Sequence, residues 1–197
     1  MRVAVLMGGM SSEREVSLNT GAQVSGALRQ AGFEVTEIIV GEDLEALLKA
    51  LKPKPDVVFN ALHGRFGEDG TIQGILDYIG LPYTHSGVRA SALAMDKAAA
   101  KAAFAAAGLP IAAHKIIEIE ELLEHDPLPR PYVVKPVNEG SSVGVSIVKA
   151  GDNRRAEIVS AWHFGAAMVE GKKTRPGGTT AGGGGGPPPP PPPPPLF

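Results

Sequence analysis

Lys135, Gly140, Ser141, Ser142 and Gly144 stand together in the stretch KPVNEGSSVGVS. Small residues in a tight turn let backbone N–H groups converge on an anion. A lysine on the strand feeding that turn adds a point charge. Lys97 offers a second cation, near the start of an alanine-rich helix whose N-terminal dipole favours the same kind of ligand. A hairpin with a glycine turn and a solvated lysine would read the same way, so both readings stand. The stretch has neither Gly-x4-Gly-Lys-Ser/Thr nor GxGxxG spacing, and is therefore not a P-loop or a dinucleotide fingerprint. Two more groups join it. Glu13, in GGMSSERE, follows a short apolar run and the Gly8-Gly9 turn, and His63, in ALHGRFGEDG, follows another apolar run and opens a glycine-rich loop. At the carboxyl end of a parallel strand such positions face ligands. Glu13 would meet a substrate ammonium or be a solvated first-turn acid favoured by the helix dipole. His63 would line the same edge or be structural.

These residues need a scaffold, and the first half of the chain alternates strand and helix signals. Residues 3–7 form an apolar run ending in Gly8-Gly9, a buried parallel strand and a turn. Ser12-Glu13-Arg14-Glu15 has the spacing of a capping box, opening a helix to about Gln30 that Gly32 stops. Residues 35–40 read as a second strand. Leu44, Leu47, Leu48 and Leu51 then share one helical face, closed by Pro53 and Pro55. Residues 56–60 read as a third strand, 72–79 as a short helix and 82–84 as a brief fourth strand. The alternation predicts a parallel sheet covered on both faces.

The pattern changes near residue 90. SALAMDKAAAKAAFAAAGLP reads as one helix with Asp96 near its start. Strands are expected at 115–119, 132–135, 143–148 and 167–170, with helices near 120–124 and over 154–164. The second and third of these strands should form an antiparallel pair. The last should have an uncovered neighbour, leaving an exposed edge or apolar face.

Composition narrows the function classes. Sixteen of the 19 basic residues and all 21 acidic ones fall in residues 1–170, leaving that part at −5 and the rest at +3. An acidic folded part argues against nucleic acid as a partner. The absence of cysteine excludes disulfides and thiol chemistry. No stretch reads as a signal peptide or membrane span, so the expectation is a cytoplasmic protein with no membrane partner. Residues 171–197 hold 8 glycines and 10 prolines, nine of the prolines consecutive, and no acidic residue. They read as a disordered tail: an out-of-frame stretch, a linker, or a polyproline II rod for a groove-bearing partner.

GGMSSEREVSLNTG, ALHGRFGEDGTIQGILDYIGLPYTHSGVRASALAMDK and VVKPVNEGSSVGVS resemble the D-alanine–D-alanine ligases, ATP-grasp enzymes of peptidoglycan synthesis. The resemblance covers roughly residues 1–170. It implies an α/β fold: a small doubly wound parallel-sheet domain at 1–89, an incomplete ATP-grasp α+β unit at 90–170, and the tail at 171–197. It also implies roles. Glu13 and His63 would hold the ammonium of the first D-alanine, with Ser141 orienting the same end. Glu13 and Ser141 would be the catalytic positions. Lys97 and Lys135 would contact ATP phosphates under a loop of Gly140, Ser141, Ser142 and Gly144, and Glu170 would meet the adenine end. The Mg²⁺ ligands, an arginine and the loop over the second substrate lie, in the family, in a half that follows. The expectation is therefore a truncated ligase without activity of its own, with homodimerisation as in the family. The alternatives are a non-catalytic nucleotide-binding fragment and a polyproline-presenting interaction protein.

Overall fold

The computed structural model describes residues 1–140 and 142–171; the expectations for Ser141 and for residues 172–197 lie outside them. Two sheets organise the chain. In the first, β1 (Arg2–Gly8) is central, with β2 (Glu34–Val40) on one side and β3 (Val57–Asn60) on the other, all parallel. The side chains of β1 alternate between two cores. Ala4 and Leu6 join Leu47, Ile72 and Leu76 beneath α2 (Leu44–Ala50) and α3 (Thr71–Tyr78). Val3, Val5 and Met7 face α1 (Arg14–Gln30), whose Leu18, Val24 and Leu28 pack against them. Ser17 of α1 ties the layers together. Its buried hydroxyl accepts the Gly8 N–H at 2.9 Å and donates to the Ala61 carbonyl at 2.7 Å. The α/β fold with helices on both faces is the one expected from the alternation.

Some local expectations change. Ser12 caps nothing: α1 begins at Arg14, with no side-chain hydrogen bond at its cap residue Glu13. Ser11 does the work instead, accepting the Glu13 N–H at 3.2 Å and donating to the His63 carbonyl at 2.8 Å. The turn after β1 is thus pulled onto the glycine loop rather than curled into a capping box. Residues 82–84 give one parallel bridge, Val58 to Tyr83, and not a strand. The ladder ends because the Asn60 N–H goes to the Thr84 hydroxyl at 3.0 Å instead of to a backbone carbonyl. The alanine-rich helix is two helices, α4 (Val88–Met95) and α5 (Lys97–Ala106). Asp96 separates them, its carboxylate accepting the Ala98 and Ala99 N–H groups at 2.9 and 3.0 Å, as an aspartate prefers to do at a helix start.

The second sheet runs β4-β7-β5-β6, all antiparallel: β4 (His114–Ile117), β7 (Ala167–Gly171), β5 (Tyr132–Pro136) and β6 (Ser146–Val148). The last strand is itself interior, and the edges of this sheet are β4 and β6. β7 lies between β4 and β5, and Ala167, Met168 and Val169 are fully buried. One face of this sheet packs Ile117, Tyr132, Val134, Val148 and Val169 against Leu122 of α6 (Glu121–Glu124) and Ile158 of α7 (Arg155–Ser160). The helix expected over 154–164 stops at Ser160, and Trp162 Nε1 then donates to the Gly165 carbonyl at 2.6 Å. The third strand of this part is short because residues 142–145 turn, with the Val145 N–H donating to the Ser142 carbonyl at 3.3 Å.

Candidate functional site

The turn after β1 and the loop after β3 leave the first sheet at its carboxyl ends. The β3 loop is fixed from within. Asn60 Nδ2 and Gln73 Nε2 both donate to the Gly67 carbonyl, at 2.8 and 3.0 Å. The Glu68 carboxylate accepts the Gly64 N–H at 2.7 Å, and Asp69 accepts the N–H groups of Phe66 and Thr71 at 2.9 and 3.0 Å. Burial pushes the Asp69 carboxyl up, but these hydrogen bonds outweigh it and hold it below the usual aspartate value. His63 is thereby presented with Nε2 3.4 Å from Thr20 Oγ1 of α1 and Nδ1 3.9 Å from Glu68 Oε1.

Glu13 reaches across to the second part of the chain. A Cβ placed on Gly64 would stand 3.2 Å from Glu13 Oε2, and one placed on Gly140 only 2.9 Å from the same oxygen. The carboxylate is thus wedged between the two glycine loops, and only residues without side chains admit it. The structure brings Glu13 to the Gly64 and Gly140 loops, while the His63 ring lies against Thr20 and Glu68. Gly144 is equally confined. It has φ +66°, and a Cβ there would lie 2.6 Å from the Phe164 ring and 2.8 Å from Pro136. Between the turns lies a cleft of about 500 Å³, walled by Ser11, Ser12 and Arg65 on one side and Glu139, Val143 and Phe164 on the other.

The cations stand behind that loop. Lys97 opens α5, and its Nζ donates to the Val137 carbonyl at 3.4 Å and to the Glu139 carbonyl. Burial, and then the neighbouring Lys135 charge, lower its pKa, opposed by Glu139 and Asp96. The like charge of Lys135 makes an anion near the pair favourable. Along β5, Val133 and Lys135 lie on the face away from the core, and β7 places Glu170 opposite Val133 there. Lys135 Nζ donates to Glu170 Oε2, while Lys101 Nζ lies 2.5 Å from Glu170 Oε1. Burial pushes the Glu170 carboxyl up, but the two lysines prevail and hold it below the usual range. Lys101 is absent from the residues singled out by sequence. Its signal was there, since it follows Lys97 by four residues and so shares its helical face. Around this cluster Ile116 and Ile147 are 44% and 48% exposed, apolar surface on which a flat ring could lie.

Among the described residues, no group of three or more His, Asp or Glu side chains is placed to hold a metal ion. None of the described helices is long and apolar enough to cross a membrane.

Comparison with known proteins meets this geometry. The family model for the D-ala D-ala ligase N-terminus matches residues 43–86, and that for the D-ala D-ala ligase C-terminus matches residues 103–173. The D-alanine–D-alanine ligase of Acidiphilium cryptum is 71% identical over 170 residues, which are 86% of this chain and 56% of that protein. The ligase of Granulibacter bethesdensis is 66% identical over 86% of this chain and 55% of its own length. Among solved structures, the Bacillus anthracis D-alanine–D-alanine ligase superposes with a TM-score of 0.73 at 34% identity, covering 88% of this chain and 58% of that one. A structure of the B. anthracis ligase complexed with ATP gives 0.69 at 30% identity, covering 88% and 59%. The chain spans a little over half the length of these relatives. It belongs to the D-alanine–D-alanine ligase family.

Proposed function

We propose that this chain carries the first-substrate and phosphate-contacting part of an ATP-dependent ligase that joins two D-alanines for peptidoglycan synthesis in the cytoplasm. The observation that carries the reading is the meeting of Glu13 with Gly140, which puts an acid from the parallel-sheet part against the anion-binding loop of the antiparallel-sheet part. We assign these parts to domains 1–89 and 90–170.

Each side chain has a task in that scheme. Glu13, with one carboxylate oxygen between Gly64 and Gly140, accepts the ammonium of the first D-alanine, and His63 completes that end. Ser141 orients the same end. Lys97 and Lys135 hold ATP phosphates beneath the loop of Gly140, Ser142 and Gly144, the mutual repulsion of the two lysines being relieved by the anion. Glu170 meets the adenine end, with Lys101 keeping its carboxylate charged and in place once Lys135 turns to a phosphate. In the reaction ATP phosphorylates the carboxylate of one D-alanine. The amine of the second then attacks that carbonyl carbon and inorganic phosphate leaves. Such transfer draws mainly on positioning and charge neutralisation. The described residues supply cations but no metal-binding carboxylate cluster, and residues 171–197 contain no acid. The chain as given is therefore expected to bind the first substrate without completing ligation.

An NMR titration of the chain with D-alanine tests this. The expected result is saturable shifts at Glu13, His63 and Gly140, lost in Glu13→Gln and weaker with L-alanine. Shifts that persist in Glu13→Gln would overturn the assignment. ADP release with D-alanine and Mg²⁺ is expected at background; release that Glu13→Gln abolishes would show a complete site.

A further inference from the structure

A second cavity, of about 130 Å³, lies on the α2/α3 side of the first sheet; its floor is aliphatic, and Glu42, His63, Arg65 and Thr71 also line it. Its floor is Leu47, Leu62 and Ile72, each under 7% exposed. Its mouth is ringed by Met10, Leu44 and Phe66, which are 41%, 49% and 37% exposed. Single exposed hydrophobes are ordinary, but three around one apolar hole make a site shaped for an apolar body. Enclosed apolar cavities of about 150 Å³ take up benzene-sized guests, and this one offers an aliphatic floor of similar scale beneath an open, partly polar rim.

Phe66 is the unusual member. Its φ is +65°, a left-handed conformation that a bulky side chain rarely adopts. The Asp69 carboxylate holds it there through the Phe66 N–H, and the Arg65 guanidinium lies 5.0 Å from the centre of its ring. Met10, Arg65 and Phe66 line this cavity and also the 500 Å³ cleft, so they form a wall with one face to each. Behind the wall, Ser11 follows Met10 and donates to the carbonyl of His63, itself a cavity residue, and its hydroxyl accepts the N–H of Glu13. A guest that displaces Met10 or Phe66 therefore acts on the residues that fix His63 and Glu13.

We propose that this cavity is a second binding site, for a small uncharged molecule with an aromatic ring or short branched chain, and that its occupancy is coupled through the Met10–Phe66 wall to the Glu13–His63 end of the cleft. The site rests on the cavity and the wall, not on the ligase reading: benzene reports on the first and D-alanine on the second.

The test is a titration of the full chain, methyl-labelled at Leu, Ile and Met, with benzene and then with indole. Saturable shifts are expected at the methyls of Leu47, Leu62 and Ile72. The Phe66 amide and His63 ring signals should move with the same midpoint. Leu44→Trp, a plug at a half-exposed rim position, should weaken benzene binding at least tenfold while the amide spectrum keeps its dispersion. Thr71→Phe plugs the opposite rim and should do the same. Linear, unsaturable shifts would overturn the site. Saturation indifferent to both plugs would overturn its location. Saturation without movement of Phe66 and His63 would overturn the coupling.

Discussion

Replacing Glu170 by Gln removes the anion from a cluster of three cations. Glu170, Lys101 and Lys135 have side chains only 20%, 12% and 21% exposed. Each charge-assisted hydrogen bond in such a setting contributes about 1.5–3 kcal/mol. Partial solvent access trims this, but the amide leaves Lys101 and Lys135 facing one another with Lys97 close by. The expected loss is about 2–4 kcal/mol of folding stability. Lys101→Met should cost less, about 1–2 kcal/mol, because Glu170 keeps Lys135. In the double variant the two losses should fall short of adding by about 1–2 kcal/mol. Urea unfolding followed by the fluorescence of Trp162 is the direct assay, since this single tryptophan packs against the core of the second sheet. The pH dependence has a definite sign. The folded Glu170 pKa lies below its unfolded value, so its contribution is complete above the ordinary glutamate pKa and is lost as pH falls through the folded one. The curves of wild type and Glu170→Gln should therefore separate above about pH 5 and converge in acid. A loss under about 0.5 kcal/mol with no coupling would refute the reasoning and place the lysines among ordinary solvated surface pairs.

Three other outcomes follow from the packing. Gly21→Ala would put a Cβ 2.5 Å from Met7 Cβ, a contact no rotamer change relieves, so α1 must lift from β1 at a cost of about 1–3 kcal/mol in equilibrium unfolding; a neutral variant would refute the contact. Ser17→Ala leaves the buried Gly8 N–H and Ala61 carbonyl without their shared partner, for an expected loss of about 2 kcal/mol by the same assay. Burial, followed by the Asp126 carboxylate 2.7 Å away, pushes the Tyr132 hydroxyl up to about 12, so phenolate absorbance should lag that of the other tyrosines on alkaline titration, and the lagging component should vanish in Tyr132→Phe.

What the sequence disclosed follows the range of the interactions involved. The leucine spacing of α2 and the apolar runs of β1 to β3 are local periodicities, and the fold kept them. The clustering of Glu13 and His63 was legible because parallel strands deliver their following loops to one edge. Choices between near-equivalent neighbours were not. Ser11 and Ser12 differ only in which one reaches the His63 carbonyl, a contact 52 residues away. The break at Asp96 was half visible, since the residue type suits a cap but an alanine-rich run suits continuity. The position of β7 was hidden altogether, because strand order depends on partners far apart in the chain. Lys101 escaped notice for a related reason: its counter-ion enters only with that strand.

The place of β7 has a consequence for how the chain is made. The parallel sheet has all three of its strands once residue 60 has been synthesised, and its pairings can form early. The antiparallel sheet is different: β5 can pair with β6 once residue 148 has been made, but β4 has no partner except β7 and must wait, unpaired, until residues 167–171 arrive. Contacts of such separation slow folding. During elongation the ribosome thus holds a finished first sheet and, beside it, an unpaired β4 and the open edge of β5, both exposed to wrong partners. An interruption between residues 148 and 167 would yield a nascent chain whose first sheet is complete and whose second is only the β5–β6 pair, with β4 left unpaired.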